Sequence, residues 1–374
     1  MNILIYGRFS NHHFAIRNVI LSICKGLNEK YDFTNNKITV LTNREHADSF
    51  SEFVNFSIDL LDIPADSASK NQFYTLFKLP SYIKKHKIDL VIFPQITFYY
   101  FKKCKTVFYL HDLIEYSVKN AKSLSLRLRK FFYRRAAKIS DAIITVSENS
   151  KKDIVNILHY PEEKISVLYD GRDESLVPID KEKAFDKIKE DFSNIKQHYL
   201  LYVGYLAHPQ KNLLFVLDNI SEILLKNNLQ FILVGPDGKD AELIHQKIAD
   251  VNNKVGKQIV LTTGPVKKEQ LPYFYSGAEA FIFVSQYEGF GMPVLEAMAC
   301  GCPFITSNGS SLKEIANGYG ELISPDDSEG LKTKLSKILE EGRKLPDFYK
   351  PVLAKFTWEN HVDGLITVLN AIKK

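Results

Sequence analysis

The sequence predicts an α/β protein of two domains, each a parallel sheet flanked by helices. Its 374 residues are too many for one ordinary hydrophobic core and fit two domains of roughly 150–200 residues. Short β-branched and aromatic runs alternate with longer amphipathic segments, which is typical of parallel strands buried on both faces. Each half also opens with an apolar strand that ends in a glycine, Gly7 in the first half and Gly204 in the second.

Apolar runs predict five strands in each half, and the segments between them have the period of amphipathic helices. In the first half the predicted strands are 1–7, 37–42, 89–94, 106–110 and 141–147, and the helices are 17–27, 74–86 and 124–139. In the second half the predicted strands are 198–204, 230–235, 258–263, 280–284 and 303–307, and the helices are 212–226, 240–250, 268–277 and 293–299.

A polar, highly charged stretch between residues 170 and 197 predicts the connection between the domains. We therefore expect an N-terminal domain over residues 1–175, a C-terminal domain over 176–356, and an amphipathic helix over 357–374. Because ligands of open α/β sheets bind at the carboxyl ends of strands, we expect the chemistry in a cleft between the domains.

Charge is unevenly distributed along the chain. Residues 1–170 hold 25 Lys and Arg against 17 Asp and Glu, a net +8, whereas the remainder is net −3. A basic N-terminal half predicts an anionic partner, which could be a membrane surface, a phosphate-bearing acceptor or nucleic acid. No signal peptide and no run of about 18 apolar residues is visible, so a cytoplasmic location is expected.

The four cysteines, Cys24, Cys104, Cys300 and Cys302, are scattered as expected for reduced thiols. The spacing of the last two could be half a metal site. A second Cys or His pair at ligand spacing is absent nearby, so buried thiols are the favoured interpretation. The chain also contains no Asp-x-Asp pair, and we expect neither a bound metal nor a cofactor.

The segment 281–303 carries the most chemical information. An apolar strand ends near Ser285, a loop with Gly289 and Gly291 follows, and Pro293 suits the first turn of a helix. A strand, a glycine loop and a helix start together form an anion cradle, because backbone N–H groups and the positive end of the helix face the ligand. A diphosphate is the expected occupant.

Two carboxylates, Glu288 and Glu296, frame this loop with seven residues between them. Carboxylates suit vicinal sugar hydroxyls rather than phosphates. One carboxylate on each side of a phosphate cradle predicts a ligand with a sugar on either side of a diphosphate, which is a nucleotide sugar. The alternatives are a first-turn Glu296 favoured by the helix dipole and a solvated Glu288 in the loop.

The stretch from Glu288 to Glu296 resembles the E-x7-E region of the retaining group 1 glycosyltransferases, family four, which have the GT-B fold of two facing Rossmann-like domains. The resemblance implies that Glu296 holds the ribose hydroxyls of the nucleotide and that Glu288 contacts the transferred sugar. It also implies that backbone amides contact the sugar and phosphates, and these belong to Gly289, Phe290, Gly291 and Met292.

Residues 202–213 resemble the family's phosphate-binding strand, loop and helix. Lys211 matches the family's lysine, whereas the arginine expected at or near Tyr205 or Gln210 is missing. The alternative for Lys211 is an exposed lysine at a helix start. The resemblance places further donor contacts at Gly204, Tyr205 and Gln210, and a base pocket at Gly264, Pro265 and Val266.

In the N-terminal half, the motif at His111 and Asp112 resembles the family's His-Asp motif, which implies that His111 approaches the reacting sugar. The alternative is a strand-end histidine bonded to Asp112. The family's Gly-Gly loop is replaced by residues 8–14, where Arg8 is a candidate for the missing positive charge. The predicted acceptor-side residues are Arg8, His12, His13 and Asp112.

These features predict a retaining, metal-independent hexosyltransferase. The donor would be a nucleotide-diphosphate sugar, with GDP-mannose slightly favoured over UDP-sugars, and the acceptor a glycan or a lipid-linked sugar in bacterial-type surface polysaccharide synthesis. The nucleotide sugar is a substrate and not a cofactor. The alternatives are an epimerase or a sugar-phosphate-releasing phosphorylase on the same architecture, and a non-catalytic subunit that binds nucleotide sugars.

The segment 119–138 contains eight Lys or Arg and no acidic residue, with leucines and aromatic residues interleaved. Such a basic amphipathic helix predicts peripheral contact with an anionic membrane, here the cytoplasmic leaflet. Tyr99, Tyr100 and Phe101 would extend the contact. The alternative is a solvated helix face with core aromatics. Nucleic acid is not an expected partner, because no RNA-binding module or stacking platform is recognisable.

Overall fold

The computed structural model describes residues 1–10, 14–117 and 124–373. The chain folds into two compact units. The first comprises Met1–Gly171 with Phe356–Lys374, and the second comprises Arg172–Lys355. Of the predicted acceptor-side and basic residues, His12, His13, Lys119 and Lys122 lie outside the described residues.

Within the described part of the first unit, seven parallel strands form one sheet. They are β1 (Asn2–Ile5), β2 (Lys37–Asn43), β3 (Phe56–Leu61), β4 (Leu90–Phe93), β5 (Lys105–Tyr109), β6 (Ala142–Thr145) and β7 (Ile165–Val167). Their order is β3-β2-β1-β4-β5-β6-β7. The direction of winding reverses between β1 and β4, and a crevice for ligands is expected outside the carboxyl ends of the strands at that point.

Three helical regions of this unit match the predicted segments 17–27, 74–86 and 124–139, and three further helices, over Ala68–Phe73, Ile114–Ser117 and Glu148–Leu158, were not predicted. In chain order the helices are α1 (Phe14–Lys30), α2 (Ala68–Phe73), α3 (Leu79–Lys85), α4 (Ile114–Ser117), α5 (Leu124–Ile139) and α6 (Glu148–Leu158). A π-helical turn, Tyr74–Lys78, joins α2 to α3, and Pro80 sits in the first turn of α3, where its missing N–H costs little. Short 3₁₀ helices cover Arg44–Phe50 and Glu162–Lys164.

Among the described residues, the second unit repeats the design with six parallel strands. They are β8 (Tyr199–Val203), β9 (Gln230–Val234), β10 (Val260–Gly264), β11 (Ala280–Phe283), β12 (Phe304–Ser307) and β13 (Glu321–Ile323). The order is β10-β9-β8-β11-β12-β13, so winding reverses between β8 and β11.

Helices cover both faces of this sheet or connect its strands. They are α7 (Lys181–Asp191), α8 (Leu213–Lys226), α9 (Ala241–Val255), α10 (Leu271–Gly277), α11 (Met292–Ala299), α12 (Ser310–Ala316), α13 (Ser328–Glu341) and α14 (Lys350–Leu353), with 3₁₀ helices at Lys268–Gln270 and Pro346–Tyr349.

The last helix, α15 (Trp358–Lys373), belongs to the first unit. Val362, Leu365 and Leu369 are fully buried in the core beneath β1. Helix α1 approaches closely at Gly26, where a Cβ would lie 2.5 Å from Val362. Lys30 adds ion pairs of 2.9 and 2.8 Å to two acidic residues of α15. Apolar burial is therefore what holds α15 in place.

The first boundary between the units lies between Gly171 and Arg172, and the chain returns to the first unit at Phe356. The sequence predicted these boundaries after residues 175 and 356. The reason at the first boundary is local packing. Asp173 forms a 2.5 Å ion pair with Lys268, which begins a 3₁₀ helix of the second unit.

Three strands, β3, β7 and β13, were not predicted, and all three are edge strands. Their burial patterns are mixed rather than continuous, because an edge strand has fewer covered positions. Within the described residues, no helix has the length and apolar character needed to cross a membrane.

We expect Leu365→Ala to destabilise the first unit by about 2–5 kcal/mol, because the side chain is fully buried and its removal leaves a cavity. Urea unfolding of the whole chain would measure the loss. Asn370→Ala, at an exposed position of the same helix, is the control and should change little. An equal effect of both variants would contradict the docking of α15.

Candidate functional site

In the second unit, two glycines bring neighbouring strand ends together. Gly204 follows β8 and Gly235 follows β9, and a Cβ on Gly235 would lie 2.1 Å from the Gly204 carbonyl oxygen. Both have positive φ, +148° and +142°. The Gly235 amide donates to the Gly264 carbonyl over 2.9 Å at the end of β10. The predicted residues Gly204 and Gly264 therefore lie on one edge of the sheet, at its carboxyl end.

The other predicted base-pocket residues continue from that edge, where Pro265 is exposed and Val266 is half-buried. Tyr205 follows Gly204 and is exposed, and its carbonyl accepts a 2.8 Å hydrogen bond from the Tyr202 hydroxyl. This bond fixes the turn that leads from β8 towards Lys211.

The loop after β11 is fixed first by the segment that follows β8. The Gln286 amide donates to the Gln210 carbonyl over 2.9 Å, and the Gln210 side chain donates to the Tyr287 carbonyl over 3.2 Å. Gln210 is thus bonded to the loop through both its backbone and its side chain.

Helix α12 fixes the same loop from the other side. The Glu288 amide donates to the Ser310 hydroxyl over 3.2 Å, and the buried Ser311 hydroxyl reaches the carbonyls of Glu288 (3.0 Å) and Phe290. Gly291 has φ +127°, and a Cβ there would lie 2.7 Å from Leu312. The two serines were not predicted as site residues, because their partners are backbone atoms.

Lys211 and Glu288 form an ion pair with a 2.7 Å Nζ–Oε1 distance. Their side chains are 14% and 13% exposed, so both sequence alternatives, an exposed lysine and a solvated glutamate, are wrong. The Lys211 ammonium also lies 5.1 Å from the Phe283 ring centroid. Lys211 stands just before α8 and Glu288 just before α11, so the pair joins two segments at strand ends.

Glu296 lies in the second turn of α11, and no acidic residue occupies the first turn. The alternative of a first-turn dipole partner is therefore wrong. The buried Tyr275 hydroxyl donates to Glu296 Oε2 over 2.8 Å. Burial raises the pKa of Glu296, and the Tyr275 hydrogen bond opposes that rise without cancelling it. The protein keeps a carboxylate here at a cost in stability.

In the first unit, His111 follows β5, and its Nε2 donates to the Pro94 carbonyl over 2.9 Å. The Ser150 hydroxyl donates to the His111 carbonyl over 2.9 Å, which ties the motif to the start of α6. Asp112 Oδ1 accepts from the Ile114 amide over 3.0 Å at the start of α4. With Nε2 donating, a neutral His111 ring has Nδ1 as its acceptor.

His111 and Asp112 line a cavity of about 560 Å³, here named the His111 cavity. An adjoining Arg8 cavity of about 390 Å³ includes Arg8, Ser10 and Asp66. The predicted acceptor-side residues Arg8, His111 and Asp112 thus lie around two connected spaces of one unit. The shared wall is formed by Gln72, Gln95, Ile96, Thr97 and Phe98.

Arg8 donates to the Ala65 carbonyl over 3.2 Å, and burial lowers the pKa of its guanidinium. Its own carbonyl accepts from the Gln95 side chain over 2.6 Å. The sequence did not single out Gln95, Glu115 or Arg129 as cavity residues. Glu115 could have been recognised from the sequence, because it follows His111 by only four residues and lies at the start of a helix.

The predicted membrane segment divides into buried and exposed residues. Phe132 and Tyr133 are buried, whereas Leu128 and Phe131 are 47% and 50% exposed. Tyr99 was predicted to extend the surface, which is wrong, because it is fully buried with its ring 5.0 Å from Phe93. We define the aromatic patch as the exposed residues Tyr100, Phe101, Leu128 and Phe131.

Cys300 and Cys302 are fully buried free thiols, and burial raises the pKa of Cys302 to about 11. Across residues 1–10, 14–117 and 124–373, no group of three or more His, Cys, Asp or Glu side chains is placed to hold a metal ion.

We expect Glu296→Gln to stabilise the second unit at about pH 7.5. Its folded-state pKa lies above the usual 4.5, so the charged form is disfavoured at neutral pH. Below about pH 4.5 both folded and unfolded chains hold the proton. The gain should therefore shrink as the pH falls towards about 4, as measured by urea unfolding.

Glu279→Gln is the matched control with the opposite sign. Burial alone would raise the pKa of Glu279, but hydrogen bonds from Lys181 (2.5 Å) and His198 (2.6 Å) hold it below its usual value. This variant should lose stability at neutral pH, with the loss fading in acid. Two variants that shift stability in the same direction would refute the assigned environment of Glu296.

Two family models match the chain. Residues 197–341 match the model described as glycosyl transferases group 1, and residues 16–176 match the model described as glycosyltransferase family 4. The matches cover the second unit's sheet and most of the first unit.

Among proteins of similar sequence, the O-antigen chain mannosyltransferase B of Escherichia coli is 29% identical over 223 residues, 58% of this chain and 57% of that protein. The serotype-specific mannosyltransferase WbdA of Escherichia coli is 25% identical over 284 residues, 72% of this chain and 34% of that protein. The matched region thus spans about half of one relative and a third of the other. The solved sucrose-phosphate synthase of Thermosynechococcus elongatus has a TM-score of 0.73 at 17% identity over 100% of this chain and 98% of that one, and confirms the predicted pair of Rossmann-like folds.

Proposed function

Because this chain belongs to the group 1 glycosyltransferases, a family with the GT-B fold, we propose that it moves a hexose from a nucleotide-diphosphate sugar to a glycan or lipid-linked acceptor. The proposal rests on Glu288, in a loop fixed at the strand ends of the second unit, and on Glu296, in the second turn of the helix that follows this loop. A GDP-mannose-type donor is favoured, since two relatives are mannosyltransferases by name, with UDP-sugars next. The product would enter a cell-surface polysaccharide.

Glu296 is proposed to accept hydrogen bonds from the ribose hydroxyls of the nucleotide. The Tyr275 hydroxyl holds Oε2 of this carboxylate at 2.8 Å, so the group is oriented before the ligand binds. Such preorganisation lowers the entropy lost on binding. Burial raises the pKa of Glu296 because it disfavours the charged carboxylate that would accept these hydrogen bonds.

The diphosphate is proposed to bind at the loop amides of residues 289–292, at the start of α11. The helix end is electropositive and suits an anion. Lys211 supplies a cation, but in the ligand-free protein it is paired with Glu288. A bound phosphate would therefore draw Lys211 towards itself and leave the Glu288 carboxylate to accept hydrogen bonds from the sugar.

During transfer, negative charge builds on the departing diphosphate and positive charge on the sugar ring. Each well-placed donor to the leaving group is worth about 3–4 kcal/mol, and Lys211 with the loop amides would supply such donors. The bond from the anomeric carbon to the phosphate oxygen breaks while the acceptor oxygen bonds to that carbon on the same face, so the configuration is retained. The leaving phosphate oxygen takes the acceptor proton, so no dedicated base is required. On the first unit, the His111 cavity is proposed to hold the acceptor.

A transfer assay with purified protein and a panel of nucleotide sugars, with a chelator present, tests the proposal. Glu288→Ala should lower kcat roughly 100-fold or more, the size of effect expected for one preorganised group, while circular dichroism shows a folded chain. Glu340→Ala, at an exposed position of α13, should leave kcat unchanged. Full activity of the Glu288 variant, turnover of the donor to an epimer, or dependence on metal would count against the proposal.

We also propose that the first unit attaches to the cytoplasmic leaflet through the aromatic patch. Exposed basic residues of the same helix accompany it, and Arg135 lies 4.3 Å from the Tyr100 ring centroid. Aromatic side chains favour the membrane–water interface and basic ones favour anionic lipids. The exposed cations of residues 100–105 and 126–138 are Lys102, Lys103, Lys105, Arg127, Arg129, Arg134 and Lys138.

Flotation with vesicles that contain phosphatidylserine should show binding at low salt that weakens as salt rises. Arg134→Glu should weaken binding about 10-fold or more, because each charge near the surface is worth about 1 kcal/mol and the variant changes two. Lys254→Glu makes the same charge change at an exposed position of the second unit and should have little effect. If binding to vesicles changed neither with salt nor in either variant, the proposed membrane attachment would be refuted.

A further inference from the structure

The His111 cavity has an apolar end built from Phe98, Leu128 and Phe132. The rings of Phe98 and Phe132 meet edge to face with centroids 4.2 Å apart. Leu128 lines the cavity and is also 47% exposed. This end of the cavity therefore reaches the protein surface at Leu128.

The apolar end is continuous with the aromatic patch. Phe131, in the patch, has its ring centroid 5.3 Å from that of Phe132, in the cavity wall. Tyr100 lies 6.3 Å from Phe131 in a stacked arrangement. A series of ring contacts thus runs from exposed apolar surface into the cavity. Exposed apolar surface of this kind commonly marks a binding site.

The lining of the cavity also contains polar side chains. His111, Glu115 and Gln95 offer a ring nitrogen, a carboxylate and an amide to hydroxyl groups. Glu115 is buried and is paired with Arg129, which is itself half exposed. Arg129 also lines the cavity, follows Leu128 directly and is bonded to Glu115, so the cation lies between an apolar and an acidic lining residue.

We infer that the His111 cavity binds a sugar carried through phosphate on a long hydrocarbon chain, with the sugar at His111 and Glu115 and the hydrocarbon along Phe98, Leu128 and Phe132. The phosphate is placed at Arg129, the cation between Leu128 and Glu115. This inference rests on the proposed transferase function and narrows its acceptor to the lipid-linked class.

A free glycan does not account for the arrangement as well. It would leave Leu128 and the adjoining rings facing water, whereas a hydrocarbon would cover them. Arg129 lines the same cavity, which matches an anionic linker and not a neutral sugar chain. The hydrocarbon is therefore the part of the ligand that the cavity selects.

Binding of two probes to the full chain tests the inference by calorimetry. One probe is mannose linked through phosphate to a dodecyl chain, used below its micelle concentration, and the other carries a methyl group instead. We expect the dodecyl probe to bind at least about 100-fold more tightly, because each buried CH₂ adds to affinity. Equal dissociation constants would overturn the inference.

Binding of the two probes to single-residue variants tests where on the first unit the hydrocarbon binds. Leu128→Gln at an exposed position and Phe98→Ala in the cavity should each reduce the preference for the dodecyl probe about 10-fold or more. Leu225→Gln, at a leucine of the second unit with 48% exposure, should preserve it. Phe131→Ser should also preserve it, since Phe131 belongs to the patch and is not a cavity-lining residue. Loss with Phe131→Ser but not with Phe98→Ala would place the hydrocarbon on the surface and refute the inference.

Donor binding is measured on the same proteins by the rise in melting temperature with nucleotide sugars. If donors stabilise every variant and the dodecyl preference is absent, the acceptor inference fails and the proposed function stands. If no nucleotide sugar stabilises the parent chain, the proposed function fails, whatever the probes show.

Discussion

The ion pair between Lys211 and Glu288 is the interaction on which the proposed donor site depends. Two charges with little exposure lose hydration, and a pair persists in such a place only when its geometry is held by other bonds. Here Gln210 holds the loop from one side, and Ser310 and Ser311 hold it from the other. The backbone is therefore rigid while the side-chain pair can exchange partners, which is what a site for an anionic ligand requires.

Central strands could be predicted from the sequence because their residues are apolar on both faces. Every residue of β8 and of β11 is buried. The edge strands β3 and β13 lack such runs and were missed. Burial was also mispredicted at Tyr99, which is buried, whereas its neighbour Tyr100 is exposed. Adjacent side chains of the same type can point to opposite sides of the backbone, and composition alone does not tell which one is buried.

The site was predictable to the extent that its chemistry is local in sequence. The spacing of Glu288 and Glu296 identified the loop, because both flank one strand–loop–helix unit. Tyr275 is 21 residues from Glu296 and Ser311 is 23 from Glu288, so their roles arise only when the sheet is assembled. Hydrogen bonds to backbone carbonyls also leave no signal in residue type.

Where relatives are expected to have an arginine, this chain offers Gln210, whose amide donates to the Tyr287 carbonyl. A neutral amide can fix the loop but cannot balance the charge of a diphosphate. In the proposed donor site the balance would come from Lys211 and from backbone N–H groups at the start of α11. Because Lys211 is already paired with Glu288, phosphate binding would release the glutamate in the same event. Donor binding itself would prepare the carboxylate that holds the sugar.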